Sequence, residues 1–287
     1  MAVLRAPLDR YAGGRLTLTS GTPVTTSDVT GAGTLYYTPY VSDLISLYTG
    51  VAWRTYTFSE LSLSLSGYTA AKPYDVWLYD NAGTLTLDST VWTNGTTRAT
   101  AIARQNGTWT KSGAAARLYL GTIYTSGTGT TEDSGGGVDT VAKRYVWNAY
   151  NRRPRAMRCI DSTSSWNYTV ATWRQANNNA LNQVEFVLGV AEEPVKATVH
   201  VRFSNTVAAN NSVGIGLDRK DTASDAQVYG MANPAGGNTP GMAFYSGFPA
   251  AGFHYMAWME KSQVAGTTSW VGSSGNAVSG MMAEVFS

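Results

Sequence analysis

The 287-residue chain is poor in the residues that most metal and catalytic centres require. It has one cysteine, Cys159, and two histidines, His200 and His254, so an intrachain disulfide and a four-cysteine metal site are excluded. Motifs for nucleotide phosphates, the serine-hydrolase elbow, zinc proteases and EF-hand calcium are all missing from the sequence. We therefore expect no cofactor and no metal, and the sequence gives no positive sign of an enzyme.

Charge and long apolar runs are also scarce. Only 14% of the residues are charged and the net charge is +2, whereas nucleic-acid binders are usually far more basic. No apolar run approaches the roughly 20 residues that a membrane-spanning helix needs. The first residues carry acid and base where a secretory signal would be apolar. We expect no nucleic-acid partner, no membrane insertion and no signal peptide.

Alternating sequence is what the chain has in abundance. Leu61, Leu63 and Leu65 alternate with serines, and the run 195–203 alternates apolar and polar residues throughout. Turn signals such as Asn106-Gly107 follow at short intervals. Strands that bury one face are typical of antiparallel sheets. The sequence predicts an all-β fold of two antiparallel β-sandwich or jelly-roll-like domains joined by a short basic junction.

We divide the chain into three parts: an N-terminal β domain for attachment or a shaft at 1–138, a basic aromatic junction at 139–160, and a C-terminal β-sandwich domain with a distal or oligomerisation surface at 161–287. The Gly/Ser/Thr-rich segment 125–137 predicts a flexible loop or linker. Residues 141–150 fit either a short helix capped by Asp139 or a strand.

Two groups of residues are candidates for a binding surface. The junction interleaves cations with aromatic rings, which suits an assembly interface, an anionic ligand or stacked bases, and we favour the interface. Its candidate residues are Arg152, Arg153, Arg155, Arg158, Tyr145, Trp147 and Tyr150. The second group, on a distal surface, is His254, Trp258 and Trp270. The segment 226–259 has no Lys, Arg, Asp or Glu, so it is either the core of the second domain or a surface buried against identical copies.

Several segments resemble a family of bacteriophage virion structural proteins, which includes tail fibre or spike-like proteins and head decoration or fibre proteins. The resemblance covers most of the chain and rests on strand and turn signatures, so no catalytic residue is carried over from it. The segments are GTLYYTPY (33–40), SELSLSLSGYTAAKPYDVWLYDNAGTLTL (59–87), ARLYLGTIYTSGTG (116–129), KRYVWNAYNRRPR (143–155), AGFHYMAWMEKSQVAGTTSWVG (251–272) and SGMMAEVFS (279–287).

The resemblance implies a protein on the particle surface that assembles as a homotrimer, contacts other virion proteins and binds a host surface glycan. Our first hypothesis is a fibre or spike-like appendage for assembly and host attachment. A capsid decoration protein is the alternative. A glycan-degrading tail enzyme is a minor alternative, because paired carboxylates could hydrolyse a glycosidic bond. The candidate acids are Glu132 with Asp133, Glu192 with Glu193, and Asp218 with Asp221 and Asp225.

Overall fold

A computed structural model describes residues 10–135, 141–224, 229–273 and 278–287. The chain divides into two compact units. Unit 1 takes the described residues of Met1–Glu132 together with Tyr145–Arg152, and unit 2 takes those of Asp133–Arg144 and Arg153–Ser287. The segment predicted as a junction therefore contributes residues to both units.

The described residues form 25 strands and one short 3-10 helix, which confirms the predicted all-β fold. The first strands are β1 (Gly14–Thr17), β2 (Val29–Ala32), β3 (Thr34–Pro39), β4 (Leu44–Tyr48), β5 (Trp53–Thr57), β6 (Leu61–Ser64), β7 (Pro73–Asn81), β8 (Thr84–Val91), β9 (Ile102–Gln105), β10 (Thr108–Lys111), β11 (Ala114–Gly127) and β12 (Thr130–Asp133). There follow β13 (Lys143–Arg144), β14 (Val146–Asn148), β15 (Pro154–Ile160), β16 (Ser165–Tyr168), β17 (Arg174–Gln175), the 3-10 turn Ala176–Asn178, β18 (Gln183–Leu188), β19 (Val195–Asn205), β20 (Ala209–Leu217), β21 (Tyr229–Asn233), β22 (Asn238–Gly247), β23 (Gly252–Lys261), β24 (Thr268–Val271) and β25 (Gly280–Phe286).

Unit 1 is built around the long strand β11, which pairs with β7, β10, β12 and β14. A three-stranded sheet β1-β3-β6 and the hairpin β4-β5 complete the unit. Gly121 lies where the register of β11 against β7 shifts, and its φ is +156°. A Cβ at this position would lie 2.1 Å from the carbonyl oxygen of Trp147, so the close approach of β14 requires glycine here.

Unit 2 contains two six-stranded sheets. One has the order β13-β18-β23-β20-β21, with β17 on β23, and the other has the order β15-β25-β19-β24-β16, with β22 on β19. The alternation predicted for β19 is present, because Val199 and Phe203 are buried while Lys196 and Arg202 are exposed. Among the described strands of this unit the pairings are antiparallel, apart from the parallel pair β13 and β18. The sandwich or jelly-roll arrangement of the domains stays a prediction.

The prediction of a flexible loop at 125–137 is wrong over its first part. β11 continues to Gly127 and β12 begins at Thr130, so the segment forms a hairpin. Gly129, with a φ of +69°, makes the turn possible, and the hydroxyl of buried Thr131 donates to the carbonyl of Tyr124 at 2.6 Å. Threonine is β-branched and favours strands, so the absence of large apolar residues here did not mean a loop.

Residues 141–150 are extended and contain β13 and β14, which matches the strand alternative for this segment. Asp139 and residues 136–137 lie outside the described residues. The aromatic and β-branched residues around Val146 favour the strand conformation.

Candidate functional site

Unit 2 contains a pocket of about 290 Å³ that is large enough for a ligand of about one ring. Three strands supply its walls: β13 through Lys143, β15 through Cys159, and β18 through Gln183 and Glu185. The loop that follows the 3-10 turn supplies Asn179, Ala180 and Leu181, and residues in or beside β13 and β15 supply the rest. The complete lining is Gly135, Ala142, Lys143, Cys159, Ile160, Ser162, Asn179, Ala180, Leu181, Gln183 and Glu185.

The loop beside the pocket is held by the buried carboxylate of Asp161. Its Oδ2 accepts hydrogen bonds from the side-chain amides of Asn177, Asn179 and Asn182 at 3.0, 3.2 and 2.7 Å, and its Oδ1 accepts one from the backbone of Thr163 at 2.9 Å. Burial raises the pKa of the Asp161 carboxyl, but the hydrogen bonds lower it by more, so the pKa lies below its ordinary value. Asp161 is therefore an ionised anchor for the loop.

A second buried carboxylate, that of Glu260 on β23, holds the start of the same loop. Its Oε1 accepts from Arg174 Nε at 2.8 Å and from the backbone N–H of Asn177 at 3.1 Å, and its Oε2 accepts from the indole of Trp166 at 2.8 Å. Burial, only partly offset by Arg174 and these hydrogen bonds, raises the pKa of Glu260 to about 6. Asn177 thus connects the two carboxylates, with its side chain on one and its backbone on the other.

The rim of the pocket combines amides, a carboxylate and one apolar side chain. Gln175 donates to Gln183 at 3.1 Å, and Gln183 donates to Glu185 at 2.5 Å, so the side chains on β18 are oriented by a chain of hydrogen bonds. Leu181 is 65% exposed at the rim, and its backbone N–H is bonded to Asn179 Oδ1 at 3.0 Å. This set offers donors, acceptors and an apolar contact to one small polar ligand.

Cys159 brings no nucleophile to the pocket. Burial raises the pKa of its thiol to about 12, so the thiolate that nucleophilic chemistry needs is not formed near neutral pH.

Within the described residues, no cluster of three or more His, Cys, Asp and Glu side chains could hold a metal ion. No helix in the described part of the chain is long and apolar enough to cross a membrane.

The aromatic residues of the predicted junction surface lie mostly inside unit 1. Tyr145 and Trp147 are 3% and 1% exposed, so neither presents a ring to a partner, and Tyr150 is half-buried. They are buried because Tyr145 and β14 lie against β11. The Arg152 guanidinium lies over the Trp147 ring, 5.0 Å from its centroid. The expectation of an exposed aromatic interface does not hold for Tyr145 and Trp147.

The arginines of the predicted surface are divided between the two units. Arg152 belongs to unit 1, whereas Arg153, Arg155 and Arg158 belong to unit 2. Arg155 is buried, 3.8 Å from a carboxylate oxygen of Asp133, and burial lowers its pKa. Arg153 is exposed and Arg158 is half-buried on β15. Arg155 acts as a structural cation, since its alternating position on β15 faces inward.

The predicted distal residues are also inside unit 2. Trp258 and Trp270 are fully buried, and the Trp270 indole donates to Ser262 at 3.1 Å. His254 is 5% exposed, with Nδ1 2.8 Å from Asp218 Oδ2 and Nε2 2.7 Å from the Ala250 carbonyl. His254 and Trp258 occupy alternate positions on β23 and share its buried face, whereas Phe253 and Tyr255 on the other face are half-buried. These three side chains do not form an exposed surface.

Two of the acids considered for hydrolysis have structural partners. Asp133 lies 3.5 Å from Arg144, and Asp218 holds His254 and accepts from the Tyr255 backbone at 3.0 Å. Asp225 lies outside the described residues.

Sequence reasoning missed Asp161, Glu260 and the asparagines of the loop. The available signal was the run of three asparagines at 177–179, since asparagine tolerates the left-handed conformation that tight loops need. Asn177 and Asn178 have φ values of 55° and 50°. The run itself did not show that Asn177 donates hydrogen bonds to Asp161, 16 positions away, and to Glu260, 83 positions away.

No family model matches the chain, and no curated protein matches it. Among solved structures, it is similar to a Bacillus thuringiensis Cry1Da tryptic core variant, with 7% identity, a TM-score of 0.22, and coverage of 89% of this chain and 48% of that one. It is also similar to the insecticidal delta-endotoxin Cry8Ea1 from Bacillus thuringiensis, with 5% identity, a TM-score of 0.23, and coverage of 90% and 49%. The chain spans about half the length of these structures. A likeness at these TM-scores carries no argument about fold or function.

Proposed function

We propose that the protein is a structural appendage of a bacteriophage particle that attaches to the host surface, and that unit 2 binds one sugar ring of a surface glycan. The resemblance of its strand and turn segments to virion proteins supports the first part. The observation that carries the second part is the pocket of about 290 Å³ with amides, a carboxylate and exposed Leu181 at its rim.

The chemistry of the lining suits a sugar. Each hydroxyl of a pyranose ring both donates and accepts, and amide groups such as those of Asn179 and Gln183 offer both functions in one side chain. The ring also has apolar C–H groups, which pack against an aliphatic side chain such as Leu181. Lys143 and Glu185 extend the range of donors and acceptors. A neutral or weakly charged sugar fits this set best.

The loop that carries Asn179 and Leu181 is fixed before any ligand arrives. Asp161 and Glu260 hold the asparagines from two sides through the hydrogen bonds described above. A loop that is already ordered loses less conformational entropy when it binds. Single contacts of this kind are weak, about millimolar, and several copies on one particle convert them into firm attachment.

The experiment is titration of the purified protein with polysaccharide from the host envelope, followed by calorimetry or by saturation-transfer NMR. We expect Leu181→Ala to weaken binding by about fivefold, because the apolar contact is lost. Val264→Ala is the matched control, since Val264 is an aliphatic side chain of unit 2 that is 72% exposed and does not line the pocket. Equal binding by both variants would reject the pocket as the sugar site.

Particle imaging tests the other half of the proposal. Cryo-electron microscopy of intact particles is expected to locate a small number of copies on an appendage. Many copies spread over the head, together with no glycan binding, would support the decoration alternative. Release of reducing sugars from the polysaccharide would support the enzyme alternative and contradict a purely binding role.

A further inference from the structure

One sheet face of unit 2 exposes three large apolar side chains to solvent. Its four strands lie side by side in the order β22, β19, β25 and β15, with all three pairings antiparallel and their registers defined. Side chains on these strands alternate between the core and the outside. The outward set therefore forms straight rows across the sheet, one residue from each strand.

Three such rows can be read from the registers. The first row is Ser246, Lys196, Glu284 and Ala156; the second is Phe244, Thr198, Met282 and Arg158; the third is Met242, His200, Gly280 and Ile160. Met282 is 52% exposed, and Phe244 and Met242 are each 49% exposed. Large apolar side chains exposed together on one sheet face mark an interaction site.

This face also accounts for part of the charge-free segment 226–259. β22 lies within that segment, and its outward side chains include Met242 and Phe244. The sequence left open whether the segment was core or a covered surface. β22 supplies both, because Ala243 and Tyr245 are buried while their neighbours are exposed.

The rows are self-complementary about a line that runs between β19 and β25. Rotation by 180° about that line places β22 over β15 of a second copy and β19 over β25. Lys196 then faces Glu284 of the other copy, Phe244 faces Arg158, and Met242 faces Ile160. Opposite charges meet, an aromatic ring meets a guanidinium, and aliphatic side chains meet each other.

The size of the face is sufficient for a pair of copies. β19 and β22 pair over ten positions, which at about 3.3 Å per residue gives a length of about 30 Å. Along that length the next two strands are β25 and β15 beside residues 196–200 of β19, and β24 and β16 beside residues 202–205, so the face is four strands, or about 20 Å, wide. A contact of this extent buries about 600 Å² on each copy, or about 1,200 Å² in total, at the lower end of specific interfaces.

We infer that this face is where a second copy of the chain packs, related by a two-fold axis between β19 and β25. The partner is the same chain because the charges and rings of the rows complement themselves without any other molecule. Of the pocket lining, only Ile160 also lies in the rows, so the inference does not depend on whether unit 2 binds a glycan. A twofold contact differs from the homotrimer that the resemblance implies, and the mass of the assembly distinguishes the two.

The first test is the mass of the assembly, measured by light scattering and sedimentation equilibrium between about 1 and 100 µM. We expect a dimer, and we expect Phe244→Lys and Met282→Glu each to weaken it by about 100-fold, because the first places a second cation against Arg158 of the other copy and the second places a carboxylate in a desolvated contact. Val264→Glu is the control, with an exposed valine changed in the same way outside the rows. Circular dichroism checks the fold, and Phe244→Ala with Met282→Ala repeats the test if a charged variant fails to fold.

The second test exploits the predicted facing of Lys196 and Glu284. Lys196→Glu alone and Glu284→Lys alone place like charges opposite each other across the axis, and each is expected to weaken the dimer by about tenfold. The double variant restores opposite charges and is expected to regain the original affinity. A monomer at every concentration, a trimer, or a dimer that Phe244→Lys and Met282→Glu do not weaken would overturn the inference.

Discussion

Each unit buries a carboxylate against an arginine, but the two networks hold different parts of the fold. In unit 1, Asp75 on β7 accepts from Arg98 Nε at 2.8 Å and from the Thr122 hydroxyl at 2.7 Å. Thr122 lies on the neighbouring strand β11, and Tyr119 on that strand also accepts from Arg98, at 3.1 Å. In unit 2, two of the partners of Glu260, Arg174 and Asn177, lie at the start of the pocket loop. The unit 1 network therefore braces a strand pair, whereas the unit 2 network shapes a binding loop.

The outer surfaces differ in a related way. Several rings of unit 1 lie under cations, with Arg104 3.7 Å from the centroid of Trp109 and Arg117 4.4 Å from that of Tyr79. A guanidinium over a ring keeps polar atoms towards water while the apolar surface is covered. The centre of the unit 2 face has Met282 open to solvent instead. Unit 2 covers rings in the same way, with Arg174 3.8 Å from the centroid of Tyr168, and unit 1 leaves single valines such as Val51 exposed. The contrast is therefore the group of large apolar side chains exposed together on one face of unit 2.

The largest effect is expected where the unit 1 network is broken. Arg98→Met removes the cation beside Asp75, whose side chain is 1% exposed, and leaves a buried carboxylate without its charge partner. We expect a loss of about 3 kcal/mol in the free energy of unfolding at pH 7, measured by denaturant titration. Burial already raises the pKa of Asp75 despite Arg98, so the loss is expected to shrink as the pH falls and the carboxyl is protonated.

Arg174→Met is the matched change in unit 2. Arg174 is 28% exposed, so water can reach part of the site, and we expect a smaller loss of stability together with weaker glycan binding. Equal losses from Arg98→Met and Arg174→Met, with unchanged glycan binding, would remove the distinction between a bracing network and a loop-shaping one.

A second prediction concerns the pH dependence that Glu260 gives to unit 2. Folding raises its pKa from 4.5 to about 6, so the folded state binds the proton more tightly than the unfolded state. Stability then rises as the pH falls from about 6.5 to 4.5, by about 1.5 kcal/mol for a shift of this size. Denaturant titrations across that range are expected to show the rise.

Glu260→Gln removes this titration and serves as the comparison. Asp75, whose pKa is also raised, contributes a rise of the same sign in both proteins, so the difference between them isolates Glu260. Asp161 has a lowered pKa, so the stability it contributes is lost only as the pH falls through and below its ordinary value of 3.8, outside the range used. A slope that is the same with and without Glu260 would refute the assignment.

The all-β fold was predictable because its signal is local. Alternation within a strand depends on residues two apart, and the 195–203 pattern became β19 with the expected faces. The hairpin at 125–133 was missed because its strands contain glycine, serine and threonine, and their burial depends on neighbouring strands that local pattern does not reveal. Trp147 and Trp258 were assigned to surfaces for the same reason, since an aromatic residue in a strand fits a core and an interface equally well.

The pocket and the sheet face could not be derived in advance for a different reason. Both depend on register between distant strands: Asp161 meets Asn177 and Asn182 only after β15 and β18 are placed, and Met282 lies beside Thr198 only through the pairing of β25 with β19. Register follows from the burial of whole faces and from turn geometry. A single sequence shows which residues share one face of a strand, but it does not show which strands pair.

The smallest expected effect tests whether the cations that lie over the rings of unit 1 contribute to its stability. Arg104→Ser removes the guanidinium from Trp109, and we expect a loss of about 0.5–1 kcal/mol in the free energy of unfolding, since a cation over an exposed ring contributes about that much. Arg104→Lys keeps a cation and is expected to recover part of the loss. Neither change should alter the mass of the assembly, because one uncovered ring outside the rows lacks the complementary set that surrounds Met282. New self-association of Arg104→Ser would mean that one exposed ring is enough, and the contrast between single exposed side chains and the grouped set on the unit 2 face would fail.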